Sequence, residues 1–480
     1  MFRLLFAITI LLALSLPGTA LALTCTIKGC HPFLQDLKNL HAPVKEGKCL
    51  SCHVQKEEMH PYPGLKAFEL KAKGVDLCYL CHDKLALGPV VHGPVKDGDC
   101  TACHRYHGAS GPNLLDMGED QTAFCTGCHD EGEFRRHYQH GPAAVGDCTS
   151  CHTHHSSTEK KLLKEQSRQL CLSCHNDFAQ TMAKAPRVHP PVSNDACTSC
   201  HNPHSSASQF VLKEKMPDLC YGCHSAMATK VPNVKVPHKP ISQAKSCGSC
   251  HSAHFSPAKG LLAVDQKNLC LGCHGQDGLR SSRVFREYSG LPLVNMKKAL
   301  DKKSQLHGPI NDGACAACHS PHGSDNFRML VKSYPAPFYV PYKEGLYDLC
   351  FSCHDKSMLK YPDTTIYTNF RNGKQNLHYL HVSDKRKGRT CRACHDAHAV
   401  NGRKLIGADG AVFGKWKIPT RFKTTATGGS CAPGCHRQLS YDRETPVPYA
   451  PQKETPKDAA KEVPQTPAPT SDAAPSGQAK

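Results

Sequence analysis

His92-Gly93-Pro94-Val95-Lys96-Asp97-Gly98-Asp99-Cys100-Thr101-Ala102-Cys103-His104-Arg105-Tyr106-His107 sets a histidine–proline segment, two cysteines two residues apart, a histidine directly after them and another three places on. Its centre is C-x-x-C-H. The two thiols of such a motif can add to the vinyl groups of a porphyrin while the adjoining histidine reaches the iron. Working outward, strict copies stand at Cys49/Cys52/His53, Cys78/Cys81/His82, Cys100/Cys103/His104, Cys125/Cys128/His129, Cys148/Cys151/His152, Cys171/Cys174/His175 and Cys197/Cys200/His201. They continue at Cys220/Cys223/His224, Cys247/Cys250/His251, Cys270/Cys273/His274, Cys315/Cys318/His319, Cys350/Cys353/His354 and Cys391/Cys394/His395. Two wider versions, Cys25/Cys30/His31 and Cys431/Cys435/His436, bring the total to fifteen and use all 30 cysteines.

Other uses of paired cysteines fit less well. A zinc site needs no histidine after every pair. A disulfide framework would not place every cysteine in one repeated motif. Fifteen covalent c-type haems are therefore expected, with the thirty cysteines as attachment points and the fifteen motif histidines as proximal iron ligands.

The motifs alternate. One kind follows an apolar residue, as in Leu77-Cys78, Phe124-Cys125, Leu170-Cys171, Leu219-Cys220, Leu269-Cys270 and Leu349-Cys350. The other kind lacks it, and most copies carry the upstream histidine–proline segment and the trailing histidine. An apolar pair then precedes the next motif: Leu114-Leu115, Leu162-Leu163, Val211-Leu212, Leu261-Leu262, Met329-Leu330, Leu405-Ile406. A period near 50 residues predicts an elongated, repeat-like array. The pattern resembles the doubled-CxxCH family of multihaem cytochromes over nearly the whole chain to His436. It departs at the first and last spacers and at the first unit, whose trailing histidine is His60. The resemblance implies electron transfer through closely spaced bis-histidine haems, in bacteria that respire metals or other external acceptors.

Of 32 histidines, fifteen are proximal and seventeen remain. Fourteen recur at regular offsets and are candidate distal ligands: His41, His60, His92, His107, His140, His155, His189, His204, His238, His254, His307, His322, His381 and His398. His107 follows His104 too closely to reach the far face of the same porphyrin, so it should serve a neighbouring haem. The same holds for His204, His254, His322 and His398. Three histidines fall outside the set: His137, His154 and His378. The last motif lacks a partner from its own unit. The His378/His381 pair is its expected source, with Met358 as the alternative.

Residues 1–22 read as a secretory signal peptide, with Arg3, the apolar run Leu4–Leu16 and an Ala20-Leu21-Ala22 cleavage site. No other segment reaches the roughly 20 apolar residues of a membrane span, so a periplasmic or extracellular protein is expected. From Leu23 to His436 there are about 28 residues per motif and a single Trp. The porphyrins must then supply most of the buried apolar surface. The predicted fold is mostly irregular coil with short α-helices around the haem array and almost no β-sheet. Expected segments are haem-binding repeats over 23–274, a basic insertion over 275–306 whose second half reads as a helix, repeats with inserts over 307–436, and a Pro/Ala/Lys-rich disordered tail over 437–480.

The formal charge of +18 does not argue for nucleic acid, because the propionates leave each ferric haem at about −1. The reading is an electron carrier, not an enzyme. Its partners would be redox proteins such as other cytochromes, with an outer-membrane porin or copies of itself as further candidates. A nitrite or hydroxylamine reductase would need an iron with an open position, yet every motif ends in histidine.

Overall fold

The computed structural model describes residues 31–449, apart from 35, 58–59, 61–65, 86, 118–120, 280–292, 408 and 414–415. Cys25 and Cys30 lie outside the described residues, as do the expected leader and residues 450–480. The chain forms two compact units: residues 1–301 with 308–331, and residues 302–307 with 332–480. No described helix is long and apolar enough to cross a membrane.

In the first unit each motif with described cysteines forms one helical turn. The His82 N–H donates to the Cys78 carbonyl at 2.9 Å, and His104 to Cys100, His152 to Cys148 and His201 to Cys197 repeat the bond at 2.9–3.0 Å. Residues i, i+3 and i+4 share a helix face, so this turn presents both sulfurs and the imidazole on one side. Motifs preceded by Leu or Phe extend it into helices such as Ser167–Cys174 and Gln266–His274. The histidine–proline segments start a second short helix. His92 caps Gly93–Lys96 in extended conformation, and Pro94 sits in the first turn, where a missing N–H costs nothing.

Two-residue ladders tie neighbouring repeats together. Asn39–Leu40 pairs with Gly108–Ala109, Val90–Val91 with Ser156–Ser157, Tyr138–Gln139 with Ser205–Ser206, and Arg187–Val188 with Phe255–Ser256. Each ladder joins the residues just before a histidine–proline segment to those just after the trailing histidine of the following repeat. Strand is 16% of the structure, in short antiparallel pieces and no closed sheet. Short helices and little strand agree with the expected, mostly irregular fold, and these ladders are the sheet that expectation left out. Two-residue strands carry no alternating pattern to read.

A buried serine fastens three of these ladders and the single bridge between Val236 and Ser324. Ser157, Ser206, Ser256 and Ser324, two residues after a trailing histidine, donate to the carbonyls of Leu163, Leu212, Leu262 and Leu330. Each hydroxyl also accepts the N–H two residues on, at 2.9 Å. Ser206→Ala should therefore cost about 1–3 kcal/mol, because it leaves a buried carbonyl unpaired. Faster amide exchange of Ser206 and Tyr138, with other ladders unaffected, checks this.

Apolar side chains do not fill the first unit. Those buried there are Ala67, Ala109, Met182, Val236 and Leu330, outnumbered by serines, while Leu50, Leu80, Leu87 and Val145 are exposed. Such a chain needs apolar surface from elsewhere to offset its conformational entropy, which fits covalent porphyrins.

The second unit differs. Tyr347, Leu359, Leu377, Val382, Ile418 and Tyr441 form a buried apolar set. A three-stranded sheet runs Lys423–Thr424, Gly428–Cys431, Leu439–Asp442. The span expected as tail from residue 437 is structured at its start. Leu439–Asp442 is a strand, and Val447 still donates to Asn372. Tyr441 anchors this stretch, and it lies outside the composition shift that marks the tail. The expected basic helix over Leu293–Leu306 is shorter, Met296–Leu300, and ends before the strand Gln305–Leu306. The last motif lies on a strand end and turn, because Pro433 and Gly434, at φ +82°, cannot continue a helical turn.

Candidate haem-binding sites

Motif histidines stand opposite second histidines at one repeated spacing. Two imidazoles bound to one metal from opposite sides, at metal–nitrogen distances of about 2.0 Å, have ring centres about 6 Å apart. His41–His82, His92–His129, His140–His175, His189–His224, His238–His274 and His307–His354 are 6.0–6.2 Å apart and within 18° of parallel. His53–His107, His104–His155, His152–His204, His201–His254 and His251–His322 are 5.9–6.2 Å apart. The ends follow suit: His31–His60 at 6.2 Å, His378–His395 at 6.4 Å and His381–His436 at 6.5 Å. Direct ring stacking would be much closer. This separation suits a pair sharing one iron.

The register is regular. A histidine from a histidine–proline segment faces the next Leu/Phe-type motif, and a trailing histidine faces the previous motif of the other type. The ladders set both at once: His41 N–H donates to the His107 carbonyl at 2.8 Å, and His92 to His155, His140 to His204 and His189 to His254 follow at 2.8–3.0 Å. His107 faces His53 and not its close neighbour His104. In the second unit His307 N–H donates to the His398 carbonyl at 3.0 Å. The His398 N–H is held by Asp396; in the first unit, His319 Nδ1 lies 3.0 Å from the Arg328 carbonyl.

Backbone carbonyls also select the tautomer. Nδ1 of His41, His189, His238 and His307 lies 2.8–3.1 Å from the carbonyls of Tyr106, Ala253, Pro321 and Ala397. Nδ1 of His104, His152, His201, His251 and His395 meets the carbonyl nine residues on, at 2.8–2.9 Å. A carbonyl only accepts, so Nδ1 carries the proton and Nε2 keeps the lone pair that a metal takes. The residues offering those later carbonyls, Asn113, Lys161, Phe210, Gly260 and Lys404, have φ of 55–70°, and the residue after each is also left-handed. Left-handed backbone costs a non-glycine residue about 1–2 kcal/mol. Lys161→Gly should therefore raise stability by about 1 kcal/mol, and Gly260→Ala, which meets no atom within 4 Å, should lower it by a similar amount. Denaturant midpoints of the haem-loaded variants check both.

Sulfur positions place successive motifs side by side. Burial pushes Cys125 and Cys220 up to about 12, reinforced by the neighbouring thiols of Cys148 and Cys247. Cys270 and Cys350 hydrogen-bond to Cys315 and Cys391 and are raised first by those bonds. Burial also raises Cys103, Cys151, Cys200 and Cys250, with Cys128, Cys174, Cys223 and Cys273 the next cause. First cysteines thus meet at one junction and second cysteines at the next. As thioethers these sulfurs would not titrate; the shifts record who neighbours whom.

Five further expected attachment points, Cys52, Cys81, Cys318, Cys353 and Cys435, share the exposure of the others, for Cys128, Cys174, Cys223, Cys273 and Cys394 are also exposed and the first cysteines half-buried. Cys81, Cys353 and Cys435 are exposed, while Cys52 and Cys318 are half-buried. The reason is local. In all six described Leu/Phe-type motifs the second cysteine is the exposed one, and Cys435 follows the Pro433-Gly434 turn, outside any helix. Backbone bonds nevertheless hold the strict motifs in shape: the N–H groups of Cys52, Cys81, Cys318 and Cys353 donate to the carbonyls of Cys49, Cys78, Cys315 and Cys350 at 3.2–3.3 Å. For these five the attachment role rests on the motif, and the structure adds only their place in it.

Burial, followed by His395 and His381, pulls His378 down to about 4, and burial also lowers His381. Both therefore stay neutral, the ligating form. His381 is the ring opposite His436, and the carbonyl of Met358 accepts from Asn376. His137 packs edge-on to Tyr138. His154 lies among His92, His152 and His104, and burial lowers it.

The profile described as doubled CXXCH motif matches residues 41–87, 92–134, 140–180, 189–229, 238–279 and 307–359, more than half of the chain. The chain belongs to this family. It is a multihaem c-type cytochrome. Each matched segment of the cytochrome opens at a histidine–proline histidine, or at His41 before Ala42-Pro43, and runs through one motif of each kind. That frame is the pair of centres whose distal histidines one ladder holds. No curated protein matches the cytochrome's sequence. Sequence reasoning missed the carbonyl acceptors, because a backbone group leaves no trace in residue type. The serine clips had a signal, Ser two places after four trailing histidines, visible once repeats are aligned.

Proposed function

We propose that the cytochrome carries electrons along fifteen covalent, bis-histidine c-type haems, as an exported conduit in extracellular or respiratory electron transfer. The carrying observation is the set of fourteen imidazole pairs at 5.9–6.5 Å, each containing one motif histidine. Haem iron bound there supplies reversible one-electron exchange. The protein's own part is positional: cysteines of consecutive motifs meet in alternation, ladders fix distal histidines of adjacent centres, and carbonyls keep ligating nitrogens available. Potentials would follow from ligand hydrogen bonding and burial. Other cytochromes are the proposed partners, with an outer-membrane porin or further copies of the chain as routes of assembly.

A reductase is disfavoured by the second imidazole standing opposite fourteen of the motif histidines. Intact-mass analysis of the mature holoprotein should give fifteen haems, and CO should leave the ferrous spectrum unchanged. A mass of thirteen haems would remove Cys25/Cys30 and Cys431/Cys435 from the set. One CO bound per molecule would restore the reductase reading.

A further inference from the structure

The two final centres take their distal histidines from one short helix, Leu377–Val382, and one of these histidines is held unlike the rest. Nδ1 of His378 meets the hydroxyl Oγ1 of Thr368 at 2.8 Å. Its partner across the pair, His395, uses the Lys404 carbonyl, and its helix neighbour His381 uses the Leu377 carbonyl. The Thr368 hydroxyl also accepts the Phe370 N–H at 3.0 Å. The Phe370 ring packs edge-on to His378 at 5.1 Å and against His381 at 5.8 Å, with Tyr441 behind it. The hydroxyl is thereby fixed in place.

A threonine hydroxyl has two lone pairs and one proton. With Phe370 N–H on one lone pair, the other takes the Nδ1 proton of His378, which leaves Nε2 directed at His395. If the hydroxyl donated to Nδ1 instead, Nε2 would be protonated and could not ligate. A hydroxyl already accepting one bond draws the Nδ1 proton less than a peptide carbonyl does. The imidazole is then a weaker electron donor, and the ferric form of its iron is less stabilised.

We infer that Thr368 is a positioning residue that raises the reduction potential of the His378/His395 centre above that of its carbonyl-held neighbours. The inference rests on the bis-histidine reading of that centre. Because the acceptor is a side chain, substitution can tune this centre without moving the backbone.

The test is an anaerobic redox titration of the full-length holoprotein, following the haem α-band. In Thr368→Asp a carboxylate draws the proton harder, so one-fifteenth of the amplitude, one haem among fifteen motifs, should move to lower potential. In Thr368→Val the acceptor is gone, so the same fraction should move up. Thr368→Ser should titrate as wild type. Shifts of the same sign in the Asp and Val variants, or none, would overturn the inference. His378→Ala separates the two layers. If it gives one high-spin haem while the Thr368 variants stay unshifted, only the role of Thr368 falls. If it leaves every haem low-spin, the ligand reading of His378 falls and the inference with it.

Discussion

Expressed from residue 23 onward in a compartment where no haem is attached, the chain should show no cooperative unfolding transition from its first unit. Ordering a residue's backbone costs about 1–2 kcal/mol. Against this, the first unit buries Met182, Val236, Leu330 and two alanines, with small polar serines between them. Hydrogen bonds of two-residue ladders do not offset such a cost, since each is worth only about 1 kcal/mol net. Residual amide protection should be confined to residues 332–449, where Tyr347, Leu359, Leu377, Val382, Ile418 and Tyr441 are buried together. Hydrogen exchange read by mass spectrometry distinguishes the two units directly. Slow exchange over the ladder at Val90–Val91 and Ser156–Ser157 in the haem-free chain would refute the argument.

The second large effect is expected at the last centre. His381→Ala removes the ring that faces His436 across 6.5 Å, and the described residues offer no other histidine ring opposite His436. One haem should become high-spin, and one CO per molecule should bind to the reduced protein. His137→Ala and His154→Ala should leave the spin state as it was, since His137 packs on Tyr138 and, among the described residues, neither is paired with a motif histidine at the ligand spacing. Electron paramagnetic resonance of the three variants, with CO titration, reads this. A fully low-spin His381→Ala protein would mean that the terminal iron takes its sixth ligand elsewhere.

Much of this arrangement was legible because it depends on side-chain chemistry at fixed spacing. C-x-x-C-H implies a helical turn, and all described motifs but the last form one; Pro433 and Gly434 mark that exception in the sequence itself. The crossing of His107 to the preceding motif follows from its closeness to His104, and the structure sets it opposite His53. Subtraction narrows the last motif to His378 or His381, and the structure places His381 there and His378 opposite His395. The rest was hidden for physical reasons. Asn113, Lys161 and Phe210 share no side-chain property, because their carbonyls make the contact. That the second sulfur of each described Leu/Phe-type motif would be exposed, as at Cys81, and the first half-buried, as at Cys125, shows only once the turn is built. Thr368 and Tyr441 act through tertiary contacts that no local pattern encodes. The apolar set of the second unit lies in inserts that interrupt the repeat, where neither period could be followed.

The central claim is that the paired imidazoles are axial ligands of one iron each. Near-infrared magnetic circular dichroism of the oxidised holoprotein tests it most directly, since the charge-transfer band of a low-spin haem reports its two axial ligands. The account predicts bis-histidine bands whose intensity corresponds to every haem counted by mass. Methionine-ligated or high-spin signals from several haems per molecule would contradict it.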